Sequence, residues 1–319
     1  MTLNLMETEM LKTGVSLLAT ALFLMCIAGT GYARDPDVIL NIWSGRAPGE
    51  LSDETGTALP RRPTENPPAT RIGEITQPTL HVFHPPADRN SGAAVLIFPG
   101  GAYKYVVADK EGSEAAEWLN GLGITACVVH YRTKLTEPRK QTNAELPGDS
   151  ERPLQDGQRA IRLLRSRAAE LHLNPQKIGV LGFSAGGQAA ALVSSRFETD
   201  SYTATESLDQ LSCRPDFSLL VYPWNLVEPD SAVLRSAVPI SAQTPPTFLV
   251  HAHDDHATPL SSVAYYSALK NSGVAAELHI YANGGHGYGM RPVEDSDVDT
   301  WPARATDWLK RMQLAATAE

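Results

Sequence analysis

The run Ile178-Gly179-Val180-Leu181-Gly182-Phe183-Ser184-Ala185-Gly186-Gly187 constrains this chain more than any other. An apolar stretch ends in G-x-S-x-G, and the Gln188-Ala189-Ala190-Ala191-Leu192-Val193 that follows reads as a helix. Strand, sharp turn and helix in that order form a nucleophile elbow. The strained turn lifts the Ser184 hydroxyl out of the sheet edge. Its small neighbours let strand and helix approach closely, and the new helix aims its N-terminus at any oxyanion that forms there.

Strand and helix signals alternate on both sides of the elbow. Thr79–Phe83, Ala93–Phe98, Ile124–Tyr131, Ile178–Phe183, Phe217–Tyr222, Thr247–Ala252 and Ala276–Tyr281 read as strands. Glu114–Leu122, Leu154–Leu173 and Ala303–Leu314 carry helical spacing. Apolar runs too continuous to have a wet face, interleaved with helices, predict an α/β fold with a mostly parallel central sheet covered on both faces. A Pro-rich lead-in over Ser44–Gln77 is expected to be irregular and draped on the surface. Thr133–Arg152, Phe197–Pro215 and Trp224–Pro246 lack regular pattern. The first and third follow strand ends, where ligands bind in such sheets, so they are the expected cleft. None is long enough for a large independent lid.

A serine hydroxyl is a weak nucleophile and needs a base, which in turn needs an orienting acid. Past the strand Thr247–Ala252 stands His253-Asp254-Asp255-His256-Ala257-Thr258-Pro259, and past Ala276–Tyr281 stands Asn283-Gly284-Gly285-His286-Gly287. His286 in its glycine-rich loop is the expected base, and Asp254 a helper or loop cap. Phe98-Pro99-Gly100-Gly101-Ala102-Tyr103 ends an early strand much as an H-G-G-G oxyanion motif does, with Pro99 for His and Ala102 for the third glycine. The backbone N–H groups of Gly101, Ala102 and Ala185 are the expected oxyanion donors. Such donors typically contribute about 3–4 kcal/mol each to transition-state stabilisation. Tyr103 is a candidate substrate contact.

These residues resemble the α/β-hydrolase superfamily, and within it the small exported carbohydrate-esterase group that includes acetylxylan esterases. The resemblance runs from about Val38 to the C-terminal helix. It rests on Phe98–Tyr103, Glu111-Gly112 followed by Trp118-Leu119-Asn120, Tyr131-Arg132, Asp156, Gly182–Gly187, Asp255 four before Pro259, and His286. It implies an α/β-hydrolase fold with a small or absent cap, a Ser184–His286–Asp255 triad in which Asp255 rather than Asp254 is the acid, and no cofactor or metal. It also implies an ester substrate, most simply an acetylated carbohydrate. Thr258 replaces the usual Val before Pro259, and Tyr222–Pro246 is short for the group.

Other readings compete. His251-Ala252-His253-Asp254-Asp255-His256 spells H-x-H-x-D-H, a dinuclear-metal signature whose bound hydroxide would attack an ester or phosphodiester. That fold needs further histidine and bridging aspartate ligands well downstream, and the histidines left after His256 are His279 and His286, the latter already accounted for by its glycine loop. A short-chain esterase or lipase, a feruloyl esterase and a serine peptidase share the triad logic, and a binding module on the same fold usually lacks a triad member. His130, His251 and His279 sit among apolar strand residues and read as core or edge histidines. Asp156 is expected to orient a helix end and Arg132 to brace loops through an ion pair.

Composition bounds the rest. The 319 residues, 42% hydrophobic, bury a large core, and a formal charge of −9 without a basic run argues against nucleic acid or an anionic membrane as partner. The three cysteines, Cys26, Cys127 and Cys213, form no disulfide framework, and the latter two read as buried free thiols. Gly14–Gly31 is apolar, follows Lys12, and precedes Gly31-Tyr32-Ala33, so residues 1–33 are expected to be a signal peptide cleaved after Ala33. Residues 34–319 would then be the hydrolase domain, secreted or periplasmic, with no stable membrane anchor after cleavage. Glu7 and Glu9 are unusual before such a segment, and a start at Met10 would remove them.

Overall fold

The computed structural model describes residues 34–134 and 150–316. The expected signal peptide, with its cleavage site and Cys26, and residues 135–149 of the first unpatterned stretch lie outside the described residues. The strands are β1 (Val38–Asn41), β2 (Thr57–Ala58), β3 (Arg71–Gly73), β4 (Thr79–Phe83), β5 (Ala94–Phe98), β6 (Tyr105–Val107), β7 (Thr125–His130), β8 (Ile178–Phe183), β9 (Ser218–Val221), β10 (Thr247–Ala252) and β11 (Ala276–Tyr281). The helices are α1 (Glu114–Gly121), α2 (Glu151–Ser166), α3 (Ala185–Ser195), α4 (Leu260–Asn271) and α5 (Trp301–Arg311).

Eight strands form one sheet in the order β1-β4-β7-β5-β8-β9-β10-β11. β1 and β4 run antiparallel to their neighbours, and from β7 onward every pairing is parallel. Successive side chains divide between two cores, as the period of a strand requires. Ala94, Leu96 and Phe98 of β5 face the core covered by α2, α3 and α4, while Val95 and Ile97 face the one covered by α1 and α5. With both faces buried, the inner strands need no polar side, which is why β5 and β8 are apolar throughout and β7 is polar only at its ends, Thr125 and His130. No helix among the described residues is long and apolar enough to cross a membrane.

Three local differences from the expected pattern stand out. α2 ends at Ser166, so its expected continuation to Leu173 is made of turns. α4 has no counterpart in the sequence reading, because Leu-Ser-Ser-Val-Ala-Tyr-Tyr-Ser-Ala-Leu-Lys-Asn shows no clean apolar stripe. Its place is fixed by Tyr265 and Leu269, which enter the core beside β10 and β11. The Pro-rich lead-in is not merely draped. Its β3 pairs with β2 and β6 in a second, three-stranded sheet. This hydrogen bonding is non-local and leaves no periodic signature in so short a strand. It holds the lead-in against the segment that follows Gly100–Tyr103.

Candidate active site

Ser184 follows β8 and caps α3 with φ 55° and ψ −121°, a conformation that a side-chain-bearing residue holds only when its surroundings impose it. Here they do. The Ser184 amide donates to Val221 O, and its carbonyl accepts from Gln188 and Trp224 amides. A Cβ on Gly186 would lie 2.1 Å from Phe98 O, so glycine alone permits α3 to start this close to β5.

Ser184 Oγ stands 2.7 Å from His286 Nε2, and His286 Nδ1 stands 2.7 and 2.9 Å from the two oxygens of Asp255. A carboxylate only accepts, so Nδ1 carries the proton and Nε2 is left to accept from the serine hydroxyl. Asp255 is buried. It also accepts from the Ala257 amide at 2.7 Å, and His251 Nε2 lies 3.1 Å away. Burial pushes its pKa up, but the His251 and His286 imidazoles and the Ala257 amide outweigh burial and hold it below the ordinary carboxylate value. Asp254 is the loop tie expected of it: Oδ1 accepts the Gly285 amide at 2.8 Å.

Gly101 and Ala102 line the same cavity as Ser184 and His286. Gly101 adopts φ 139°, and a Cβ there would meet Tyr105 O at 1.9 Å. Ala102 follows in the left-handed region at φ 52°. Ala185 is the first residue of α3, so its amide has no acceptor within the helix. Tyr103, expected at the cleft, is instead 3% exposed and packs against Tyr131, with its hydroxyl donating to Gln188. The tyrosine that reaches the cavity is Tyr105. Three consecutive residues at positive φ, Gly101 to Tyr103, turn the chain over just before it.

A buried network beneath the site had no reading in the sequence beyond its place in the resemblance. Glu111 precedes α1 in a single wide π-type turn, Asp109–Ser113. One carboxyl oxygen accepts the Gly100 amide at 2.7 Å and the other accepts the Tyr222 hydroxyl at 2.8 Å. Tyr222 Oη in turn accepts the Gly289 amide at 2.8 Å, and its ring meets His286 edge-on. The glycine loop before β6, the residue after β9 and the loop bearing His286 are thus tied through one carboxyl. Burial raises the Glu111 pKa, with the Tyr222 and Gly100 bonds opposing it. Trp301 Nε1 anchors the histidine loop from below by donating to Gly289 O.

The remaining candidates take structural places. Asp156 is fully buried and accepts from Trp43 Nε1 and from the Arg132 amide and Nε. Arg132, also buried, reaches Gln155, Pro48 O and Arg152 O, which makes it the expected brace. His130 stacks on His81, and burial pulls its pKa down to about 3. His279 pairs with Glu277. Cys127 and Cys213 are buried and free. The H-x-H-x-D-H histidines do not converge: His251 is buried against Ser262, while His253 and His256 are exposed. Among the described residues no three such side chains are placed to hold one metal ion.

Sheet order, elbow and loop positions make this chain an α/β-hydrolase by fold. Residues 80–217 match the BD-FAE family, and residues 218–314 match the prolyl oligopeptidase family. Over 226 residues, 63% of this chain and 42% of the relative, it is 31% identical to an acetylxylan esterase of Xylanibacter ruminicola. Over 212 residues, 60% of this chain and 32% of the relative, it is 27% identical to an endo-1,4-beta-xylanase B of Butyrivibrio fibrisolvens. The chain therefore spans less than half the length of both relatives. Among solved structures it is similar to an acetyl ester-xyloside bifunctional hydrolase from Caldicellulosiruptor lactoaceticus. The TM-score is 0.68 at 28% identity, over 88% of this chain and 98% of that one. An esterase of Thermogutta terrifontis, at 22% identity and a TM-score of 0.62 over 77% of this chain and 93% of that one, shares the fold.

Proposed function

We propose that the protein is a serine carboxylic ester hydrolase that removes acetyl groups from carbohydrate. The observation that carries this reading is the unbroken line from Ser184 Oγ through His286 to Asp255, opening on a cavity of about 560 Å³. Ser184 Oγ attacks the ester carbonyl as His286 Nε2 takes its proton. Asp255 holds the imidazole tautomer and stabilises the imidazolium. The amides of Gly101, Ala102 and Ala185 receive the oxyanion. The tetrahedral intermediate collapses, His286 hands its proton to the leaving alcohol, and the acyl group stays on Ser184. Water, deprotonated by His286, then attacks the acyl-enzyme, and the acid leaves as Ser184 regains its proton. No step calls on a cofactor.

Two features support a sugar on the alcohol side. Trp224 is 38% exposed at the cavity wall and offers an aromatic face to a ring. The relatives named as acetylxylan esterase and acetyl ester-xyloside hydrolase point the same way. Acetate release from acetylated xylo-oligosaccharides by the wild type, and not by Ser184→Ala, is the expected result. Release only from aryl esters of longer acids would move the reading to a general or feruloyl esterase. The match of residues 218–314 to the prolyl oligopeptidase family favours a peptidase as second reading, since these residues carry Asp255 and His286. Cleavage of a prolyl anilide in place of acetyl esters would establish it. Residues 1–33 are proposed as an export signal. N-terminal sequencing of the exported protein should begin at Arg34, and a first residue upstream of it would refute this.

A further inference from the structure

The cavity that opens above Ser184 has a charge unlike that of the whole chain. The protein carries a net −9, yet Arg62, Arg71 and Lys110 line this cavity against Glu65 and Glu111. Both carboxylates are already engaged. Glu65 receives Arg71 through two contacts of 2.8 and 2.9 Å, with Lys110 Nζ at 3.7 Å, and Arg71 together with the Ala69 amide holds it down to a pKa of about 2. Glu111 gives its two oxygens to Gly100 and Tyr222.

Arg71 and Lys110 share Glu65, so the charge left over sits on Arg62. Arg62 is exposed and donates to the neutral Tyr105 hydroxyl at 2.9 Å. Among the described residues no carboxylate lies within ion-pair distance of it. Arg71 is 6% exposed, and its Nε is buried with no hydrogen-bond partner among the described residues. A planar guanidinium fork fits a carboxylate better than it fits a hydroxyl. Trp224, on the same cavity, supplies the aromatic face for a ring.

We propose that the Arg62–Arg71–Lys110 wall is a subsite for the carboxylate of a uronic acid, so that the preferred substrate is an acetylated oligosaccharide carrying an acidic sugar. The inference rests on the ester-hydrolase reading above and narrows its substrate. The lead-in, not the hydrolase core, provides two of the three cations: Arg71 lies on β3 and Arg62 precedes it.

The test compares acetate release from neutral acetylated xylo-oligosaccharides with release from the same oligosaccharides bearing a glucuronic acid branch. The acidic substrate should show a kcat/KM roughly fivefold higher at low salt, given one partly exposed charge pair, and the advantage should shrink as salt is added. Arg62→Gln should bring the ratio of acidic to neutral substrate close to one, while Arg62→Lys should keep part of it. A ratio of one in the wild type, or an unchanged ratio in Arg62→Gln, overturns the proposal. Calorimetry on Ser184→Ala with the deacetylated, glucuronic-acid-branched product gives a second readout that needs no turnover. Binding of that product, weakened by Arg62→Gln, with no acetate release from either substrate would retain the subsite and refute the acetyl-esterase reading. No binding preference over the neutral product would refute the subsite whatever the enzyme hydrolyses.

Discussion

Tyr222→Phe removes one oxygen from the centre of the network beneath the active site and leaves the ring in place. That oxygen donates to Glu111 at 2.8 Å and accepts from the Gly289 amide at 2.8 Å. Both partners are buried, so neither gains a water in exchange. A buried polar group left unpaired costs about 1–3 kcal/mol, and two such groups give about 2–6 kcal/mol. The total stability of a domain is about 5–15 kcal/mol. At about 2–4 °C per kcal/mol for a chain of this size, the melting temperature should fall by roughly 5–20 °C. Tyr265→Phe is the matched control, because the Tyr265 hydroxyl is buried with no hydrogen-bond partner among the described residues, so its removal strands none of them. Calorimetric melts of wild type, Tyr222→Phe and Tyr265→Phe decide the matter. Because Gly289 closes the loop that carries His286, kcat should fall with Tyr222→Phe while KM changes little, which a purely structural role far from the site would not produce. A Tyr222→Phe protein melting within a degree of the wild type, and no lower than Tyr265→Phe, would show that the network is not a brace.

Ser184→Ala and His286→Ala should each lower turnover by several orders of magnitude without a large change in the melt, and an activity within tenfold of the wild type would place the nucleophile elsewhere. Asp255→Asn should cost about 10⁴ in kcat, because an amide can turn its N–H toward Nδ1 and reverse the tautomer that His286 needs. Asp255 has a folded pKa below its unfolded value, so its contribution to stability is present above the unfolded value near 3.8 and is lost as pH falls toward the folded one. Denaturant titrations should therefore show the wild type losing stability below about pH 4, and Asp255→Asn showing a shallower acid limb; parallel limbs would contradict this. Gly186→Ala forces a Cβ to within 2.1 Å of Phe98 O. Backbone rather than a flexible side chain must yield there, so a loss of about 3 kcal/mol or more is expected in urea unfolding, and a stable, active variant would refute the close approach.

Much of the site was legible in the sequence because its chemistry is tied to local backbone geometry. A G-x-S-x-G between an apolar run and a helix can be satisfied by little else than the turn seen at Ser184, and a histidine among glycines after a late strand has few other uses. Asp255 rather than Asp254 is what the resemblance implies, and no local pattern separates the two; in the structure Asp255 turns inward to His286 while Asp254 caps Gly285. The buried strands were legible because two covered faces demand unbroken apolar runs. Tyr103 was misplaced because successive residues at φ 52° and 59° reverse which side chain faces the cavity, and a single sequence does not display backbone dihedrals.

The sequence by itself determined the elbow, the order of nucleophile, acid and base, and the alternation that builds a parallel sheet. Each of these is written in residues close together in the chain. Tertiary structure alone decided what those parts rest on and open toward. Glu111, Tyr222 and Gly289 lie far apart in sequence and share one hydrogen-bonded line only because α1, β9 and the histidine loop meet beneath Ser184. The Pro-rich lead-in became a cavity wall only because β3 found β6 as a partner. Contacts of that kind depend on pairing between distant segments, whose free energy is shared across the whole sheet and core rather than encoded in any local pattern.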